Sequence, residues 1–150
     1  MRIKIICNCF RFLLIFLLAI TPAHSEESQT SNAITSFLQG QETETESAEL
    51  QYSEIANLDD DDNPEVIIVW SRLGATWWSN HLTVLKRTGK EFITLDTRDI
   101  SGMPDALAVS EGLIRIARRV HGPGDARCCP SKRETVTHTL SDGSLTETKE

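Results

Sequence analysis

The sequence predicts a mainly β fold of the α+β class, with one N-terminal helix packed on an antiparallel sheet of about six strands. From Leu50 onward, apolar and polar residues alternate with a period of two, which is typical of half-buried strands. The spacers between these segments are short, and short connections favour antiparallel neighbours because parallel strands need long crossovers. Asp142-Gly143 separates two alternating segments, and this dipeptide favours the positive φ angles of a tight hairpin turn.

The beginning of the chain has the pattern of an export signal. Basic residues precede a nine-residue apolar run at 12–20, and a small-x-small cleavage site ends at Ser25. The apolar run is short for a membrane span, which takes roughly 20 residues. We therefore predict that residues 1–25 are a signal peptide, that Cys7 and Cys9 leave with it, and that no transmembrane segment remains. The expected location is periplasmic or secreted.

The charge of the mature chain limits its partners. The full sequence has 15 Lys and Arg against 22 Asp and Glu. Three of the basic residues and none of the acidic ones lie in residues 1–25, so the mature chain has a formal charge of −10. A chain this acidic repels phosphate backbones, and the sequence has no basic cluster with interleaved aromatic residues. We therefore expect no nucleic acid partner. Cations and basic proteins are electrostatically favoured.

The first element after the signal is predicted to be a short helix over residues 31–40. Ser31 is a suitable N-cap and Gly40 a suitable C-terminal residue. Its apolar residues fall on one face at helical spacing: Ile34, Phe37 and Leu38. Residues 26–30 are polar and predict a loose new N-terminus, whereas residues 41–49 predict an acidic linker. The chain thus divides into a helix with its linker, 26–49, and a single β-rich domain, 50–150.

Seven segments of the β-rich domain are predicted strands. They are residues 50–56, 66–72, 76–87, 91–97, 113–120, 134–140 and 144–148. Glycines separate most of them, and Gly102 with Pro104 predicts a turn after the fourth. The segment Val66-Ile67-Ile68-Val69-Trp70 is apolar on both faces. It should therefore be a central strand covered on each side, with the N-terminal helix on one of them.

An acidic loop, "NLDDDDNPEVII", leads into that central strand. Oxygen-bearing side chains stand at alternate positions: Asn57, Asp59, Asp61, Asn63 and Glu65. Alternate positions of a tight loop can converge on one point, and Ca²⁺ takes six to eight oxygen ligands. Ca²⁺ would also neutralise the repulsion among the four consecutive aspartates. Two interpretations stay open, a calcium site and a polar turn whose aspartates cap the next strand.

This stretch resembles the calcium loops of FG-GAP and dockerin-type repeats, in which an aspartate-rich loop precedes an apolar strand. The resemblance covers about twelve residues and implies Ca²⁺ as the cofactor. Asn57 stands where those families prefer aspartate, Asp62 where they prefer glycine, and Glu65 where they prefer a shorter acid. Proteins with several such repeats form propellers, but this chain has one copy, so a propeller does not follow.

Two neighbouring cysteines, Cys128 and Cys129, lie in the loop "HGPGDARCCPSK". Consecutive Cα atoms are about 3.8 Å apart, while disulfides prefer roughly 5.5–6 Å, so a ring between neighbours is strained. In an oxidising compartment we predict such a vicinal disulfide, which would rigidify the loop. Two alternatives stay open. The cysteines could be reduced and act as small apolar residues, or they could form a reactive or metal-binding pair assisted by His121 and Asp125.

The same loop resembles a motif of small exported bacterial envelope proteins and lipoproteins, with the form [HQ]-G-P-x-D-x-x-C-C-P-[ST]. The matching residues here are 121–125 and 128–131, followed by the threonine-rich "TVTHTL". The resemblance covers roughly residues 50–145. It implies a small extracytoplasmic β-rich domain and no established activity. The glycine-rich turn expected after the central strand is replaced by "RLGA", residues 72–75.

The remaining candidates are aromatic and polar residues of the third segment. Trp78 is predicted to pack in the core, whereas Trp77 beside His81 is a candidate contact for a partner. Together with His121 and Asp125 they complete the predicted binding residues. We recognise no Ser-His-Asp order, HExxH, CxxC or glycine-rich phosphate loop in the sequence, and we predict no catalytic residue.

These features favour an exported, non-enzymatic binding module, with Ca²⁺ as its candidate cofactor, that contacts a protein partner in the cell envelope. An inhibitor or immunity-like role toward an envelope hydrolase or toxin fits the size, export and acidity. The alternative is a thiol-redox or metal-handling protein that uses Cys128 and Cys129.

Overall fold

Strand β2, Glu65–Leu73, lies at the centre of the molecule. The computed structural model describes residues 23–59, 61 and 63–148. Every residue from Glu65 to Ser71 is buried. Ile67 and Val69 face one apolar core, and Val66, Ile68 and Trp70 face another. The prediction of a central strand covered on both sides is therefore confirmed.

One helix and eight strands make up the described chain. Their bounds are α1 Ala23–Gln41, β1 Ser47–Ala56, β2 Glu65–Leu73, β3 Trp78–Thr88, β4 Glu91–Ile100, β5 Met103–Ser110, β6 Leu113–Val120, β7 Lys132–Ser141 and β8 Ser144–Thr148. The strands form two four-stranded sheets, ordered β1-β2-β3-β4 and β5-β6-β7-β8. All neighbouring strands are antiparallel. The class predicted from the sequence, one helix with a mainly β antiparallel body, is confirmed.

The number of sheets differs from the prediction of one sheet of about six strands. The additional strand is β5, which the sequence analysis assigned to a turn because of Gly102 and Pro104. Gly102 does make the turn, with a φ of 83°. Pro104 lies within β5, which is an edge strand paired only with β6. An edge strand tolerates proline because one side of its backbone needs no ladder partner.

The two sheets pack face to face around one apolar core. Its fully or nearly buried members are Leu58, Ile67, Val69, Leu82, Val84, Ile100, Ile114, Ile116, Val136 and Leu145. Two long-range hydrogen bonds join the sheets at their edges. The Tyr52 hydroxyl donates to the Asp105 carbonyl at 2.8 Å, and the Leu145 N–H donates to the Asp96 carboxylate at 2.8 Å. Residues of β1 and β4 thus contact β5 and β8.

Helix α1 covers the other face of the first sheet. Ile34 packs with Phe37 and Leu38 against Trp70 and its neighbours, as the apolar face of the predicted helix required. The rings of Phe37 and Trp70 meet edge to face at 5.6 Å. Inside this layer the Trp70 Nε1–H donates to Thr83 Oγ1 at 2.9 Å, which satisfies its only polar atom.

The helix is longer than predicted and begins at Ala23. The segment 26–30, predicted to be a loose terminus, is helical, and the predicted cleavage point after Ser25 falls inside the helix. Residues 1–22, with the rest of the predicted signal and both of its cysteines, lie outside the described residues. Within the part of the chain that the structure describes, no helix has the length and apolar character that crossing a membrane requires.

The predicted Asp142-Gly143 hairpin turn is confirmed. Both residues have positive φ, 49° and 73°. Glu111-Gly112, which joins β5 to β6, has the same conformation, with φ values of 54° and 70°. Positive φ at both central positions matches the twist of a two-residue hairpin.

The chain reversals place the candidate sites at opposite ends of the two-sheet body. The acidic loop, residues 57–64, precedes β2 beside the β3–β4 hairpin, because Ala56 pairs with Glu65 and Leu85 pairs with Val66. We call this the acidic end. The β2–β3 turn, Gly102 and the cysteine loop, residues 121–131, lie at the other end, the cysteine end. A Cβ on Gly102 would come within 2.8 Å of Val120 Cγ1, so these connections are packed together.

His138 makes the stability of this body sensitive to acid. Its side chain is 3% exposed, opposite Ile114, and within the described chain its buried Nδ1 has no hydrogen-bond partner. Burial is the main cause that lowers the pKa of His138, although the Glu147 carboxylate raises it in part, and Arg118 and Arg98 lower it further.

We predict that the free energy of unfolding falls as the pH drops from about 6.5 through the folded-state pKa of His138. The unfolded chain takes up the proton in this window and the folded chain resists it. The slope for one histidine is at most about 1.4 kcal/mol per pH unit. The free energy of unfolding, measured with denaturant between pH 7 and 5, should change less with pH in His138→Gln than in the wild type. His121→Gln, at an exposed histidine, is the control. Equal pH profiles for wild type and His138→Gln would refute the prediction.

Candidate functional sites

The acidic loop is folded by its own side chains. Asp61 Oδ1 accepts the Asn63 N–H at 2.7 Å, and Asp59 Oδ1 accepts the Asp61 N–H at 3.4 Å. The Asn57 amide donates to the Asp61 carbonyl. Leu58 anchors the loop in the core between the sheets. Short side-chain-to-backbone hydrogen bonds of this kind favour tight turns, and the core contact of Leu58 fixes the loop against the two sheets.

Three of the five predicted metal ligands converge. Carboxylate oxygens of Asp59, Asp61 and Glu65 all lie within 4.8 Å of one another, and this group could hold a metal ion. Glu65 is completely buried; its Oε2 accepts the Leu58 N–H at 2.9 Å, and its Oε1 makes no hydrogen bond within the described residues. The Asn57 side-chain amide and the Asn63 backbone N–H are engaged in the loop's own hydrogen bonds. Asp60 and Asp62 lie outside the described residues.

A residue that the sequence analysis missed, Lys86, points into this carboxylate group. Its Nζ is bonded to Asp59, lies 2.6 Å from Asp61 Oδ2, and lies 3.4 Å from Glu65 Oε1. These contacts, with the Asp59 hydrogen bond foremost, raise the pKa of Lys86. The hydrogen bond from Lys86, with that from the Asn63 N–H, lowers the pKa of Asp61. The single ammonium group thus contacts all three carboxylates and offsets part of their negative charge.

At the cysteine end, Asp125 closes the cysteine loop. Its carboxylate accepts the Gly122 N–H at 2.8 Å, the Ser131 N–H at 2.7 Å and the Ser131 hydroxyl at 2.8 Å. These bonds, with the Gly122 N–H first, lower the pKa of Asp125. The candidate binding residue Asp125 therefore holds the base of the loop together. His121 is exposed beside it.

Cys128 and Cys129 are free and exposed in this structure, and the predicted vicinal disulfide stays a prediction. The Cys129 N–H donates to the Ala126 carbonyl at 3.0 Å, which forms a turn at the pair. Interaction with the Cys128 thiol is the main cause that raises the pKa of Cys129. Reactive cysteines need the opposite shift, because the thiolate is the nucleophile. Across the described residues, the only His, Cys, Asp and Glu group suited to an ion is the one at the acidic end.

Trp77 and Trp78 are both exposed, at 45% and 52%. The prediction that Trp78 packs in the core is wrong, because Trp78 lies at the first position of β3, beyond the edge of the core between the sheets. Trp77 lies in the β2–β3 turn, where its carbonyl accepts the Gly74 N–H at 2.9 Å. Its indole lies over Gly74, where a Cβ would overlap the ring, so a larger residue at this position would displace the indole.

His81 lies in a chain of hydrogen bonds. Its Nε2 lies 2.7 Å from Ser79 Oγ, and its Nδ1 lies 2.9 Å from Asp99 Oδ1. The imidazole stacks on Trp70 with the ring centroids 4.5 Å apart. The sequence analysis predicted His81 as a binding residue and missed Ser79 and Asp99. Alternation already placed Ser79 on the face of His81, but Asp99 joins them only through the β3–β4 register, in which His81 pairs with Asp99.

An apolar groove runs between α1 and the outer face of β1, with a volume of about 820 Å³. Its apolar walls are Ile34, Leu38, Leu50, Ile55, Pro64, Val66 and Phe92. Leu50 and Ile55 are 41% and 54% exposed within it, because the helix covers only part of this face. Glu26, Glu27 and Glu54 line its margin together with Arg87, which pairs with Glu26 at 3.5 Å.

Comparison with known proteins found no matching family model, no matching curated protein and no matching solved structure. The assignment of function therefore rests on the geometry of the acidic loop, the cysteine loop, the histidine cluster and the groove.

We predict that the mature protein purified from an oxidising compartment carries the Cys128–Cys129 ring, so both sulfurs resist alkylation until a reductant is added. A strained ring between neighbours is reduced more easily than an ordinary disulfide. Intact mass after alkylation, with and without graded reductant, measures this directly. Cys128→Ser with Cys129→Ser gives the mass reference. Alkylation of both sulfurs without reductant would contradict the prediction.

Proposed function

We propose that the protein is an exported binding module that contacts a protein partner in the cell envelope through the groove between α1 and β1. The observation that carries the proposal is the concave apolar surface, about 820 Å³ in volume, with two aliphatic side chains left exposed in it. Apolar surface left exposed on a protein marks an interaction site, and a groove with apolar walls accommodates the apolar side chains of a partner segment. Export to the envelope rests on the predicted signal peptide.

The charge around the groove defines the partner's chemistry. Glu26, Glu27 and Glu54 outnumber Arg87 at the margin, and the side chain of Arg87 is already bonded to Glu26 and Gln29. A partner segment with apolar side chains flanked by Lys or Arg fits both the walls and the margin. We propose as this partner a basic envelope hydrolase or toxin, toward which the protein has an inhibitor or immunity-like role.

We predict that Ile55→Ser weakens partner binding by about tenfold or more. Full burial of an isoleucine contributes about 1.5–3 kcal/mol, and 1.4 kcal/mol is a tenfold change in affinity. The measurement is the quantity of each envelope protein recovered on immobilised wild type and variants, at low and at high salt. Recovery should fall with salt because the margin is charged.

Ile93→Ser is the matched control, since Ile93 is 48% exposed on β4 and is not part of the groove. Melting curves of both variants establish that each is folded. If wild type, Ile55→Ser and Ile93→Ser each recover the same proteins in equal amounts, the groove is not the binding site.

The cofactor proposed for the acidic loop is Ca²⁺, bound in competition with the Lys86 ammonium. Three observations support this second proposal: the three carboxylates, the likeness to calcium loops, and the buried Glu65 Oε1. Within the described residues this oxygen makes no hydrogen bond, and it lies 3.4 Å from Lys86 Nζ. A free calcium ion must displace Lys86 Nζ, which is tethered to the same oxygens. We therefore expect weak binding in the wild type.

We predict that Lys86→Met raises the stabilisation by Ca²⁺, because methionine removes the competing charge and leaves the carboxylates unpaired. At a calcium concentration ten times the Kd, stabilisation reaches about 1.4 kcal/mol. Thermal melting of wild type and Lys86→Met, each in millimolar Ca²⁺ and in chelator, measures it. Lys90→Met, an exposed lysine of the β3–β4 hairpin, is the control. Identical melting of Lys86→Met in Ca²⁺ and in chelator would exclude a calcium site.

A further inference from the structure

We propose that Ser79, His81 and Asp99 form a hydrolytic site that attacks small aryl esters, with Ser79 as the nucleophile. This inference goes beyond the binding function and rests on three side chains at the cysteine end, none of which lines the groove. The three side chains are connected in the order that nucleophilic serine catalysis needs, from hydroxyl to imidazole to carboxylate. The sequence separations are 2 and 18 residues, and strand pairing brings the groups together.

The hydrogen bonds fix which nitrogen acts as the base. His81 Nδ1 donates to Asp99 Oδ1 at 2.9 Å, so Nε2 is left as the acceptor for the Ser79 hydroxyl proton at 2.7 Å. Stacking on Trp70 at 4.5 Å fixes the plane of the ring. The general base therefore lies within hydrogen-bond reach of the nucleophile and is oriented by a third group, which is the arrangement of an activated serine.

The surroundings keep His81 neutral and therefore able to accept a proton. Burial, as the largest cause, lowers the pKa of His81, and Arg72 lowers it further, while Asp99 acts in the opposite direction. The lowered pKa favours the neutral imidazole, which is the form that accepts a proton.

Arg72 supplies positive charge beside the nucleophile. It is the direct cross-strand partner of Ser79 in the β2–β3 pairing. One guanidinium nitrogen donates to Gln41 Oε1 at 3.2 Å, while within the described residues Nε has no hydrogen-bond partner. Because Nε is buried, Arg72 acts through its charge, which lies on the strand opposite Ser79 and favours an oxygen that becomes negatively charged there.

The reaction is an ordinary two-step ester hydrolysis. Ser79 Oγ bonds to the ester carbonyl carbon and its proton passes to His81 Nε2; the bond to the alcohol oxygen then breaks, and the alcohol leaves with that proton. Water next attacks the acyl-serine, gives a proton to His81, and releases the carboxylic acid as Ser79 recovers its proton. The exposed indole of Trp77, two residues before Ser79, offers a surface for a flat aryl group.

The test uses the purified protein with p-nitrophenyl acetate and with a fluorophosphonate. We expect a phosphonate adduct on Ser79 by peptide mapping, and ester hydrolysis that is lost in Ser79→Ala. His81→Gln should lower kcat/KM by on the order of 10²-fold, the usual contribution of a general base. Asp99→Asn should have a smaller effect because this carboxylate is 90% exposed to water. The rate should rise with pH through a value below 6.5.

Ser144→Ala, at an exposed serine at the start of β8, is the control and should keep full activity. Circular dichroism checks the fold of His81→Gln, and Ser79→Ala carries the decision because it leaves the stacked imidazole in place. Absence of the adduct from Ser79, or equal hydrolysis by wild type and Ser79→Ala, would overturn the proposal.

Discussion

Burial of β2 on both of its faces is the constraint on which the rest of the structure depends. A strand with apolar side chains on each side needs two covering layers, and this chain supplies a second sheet on one side and α1 on the other. Glu65 and Ser71, near the ends of the same strand, are buried with it. The polar groups at these ends must therefore find partners within the protein, and both ends carry hydrogen-bonded or ion-paired clusters.

At the acidic end the carboxylates are paired with the ammonium group of Lys86. Glu65 is buried and carries two oxygens, one bonded to the Leu58 N–H and the other facing Lys86 Nζ at 3.4 Å. Lys86 also compensates Asp59 and Asp61, so one ammonium serves three carboxylates. At the opposite end, Ser71 donates to Asn80 at 2.6 Å, and Asn80 donates to the Gly102 carbonyl at 2.6 Å. That chain ties the central strand to the turn between the two sheets.

The incomplete cover of the first sheet has a functional consequence. Because a single helix covers a four-stranded sheet, part of the outer face stays open along β1. The cluster of Ser79, His81 and Asp99 lies on the same face, where His81 stacks on Trp70, near the C-terminal end of α1, where Arg72 contacts Gln41. The open face thus carries an apolar groove at one place and a polar cluster at another. The second sheet packs its inner face against the first sheet in the common core.

Local signals in the sequence determined a large part of this molecule. Three signals depend on residues close in the chain and gave correct predictions. The alternation around Val136 predicted a strand, the apolar run of β2 predicted burial, and Asp142-Gly143 predicted the turn geometry. Pro104 misled the analysis because its effect depends on whether the strand lies at an edge, which is a property of the whole sheet.

Tertiary structure alone decided how the strands divide into two sheets, which side chains meet and which aromatic residues stay exposed. Lys86 reaches Asp59 across 27 residues, and Asp99 reaches His81 through strand register. The sequence pattern pointed to oxygen ligands at 57–65 and to a histidine at 81. It did not indicate that Lys86 contacts the oxygen ligands or that Asp99 contacts His81. Such contacts are set by sheet pairing, and a shift of one residue would turn every side chain to the opposite face.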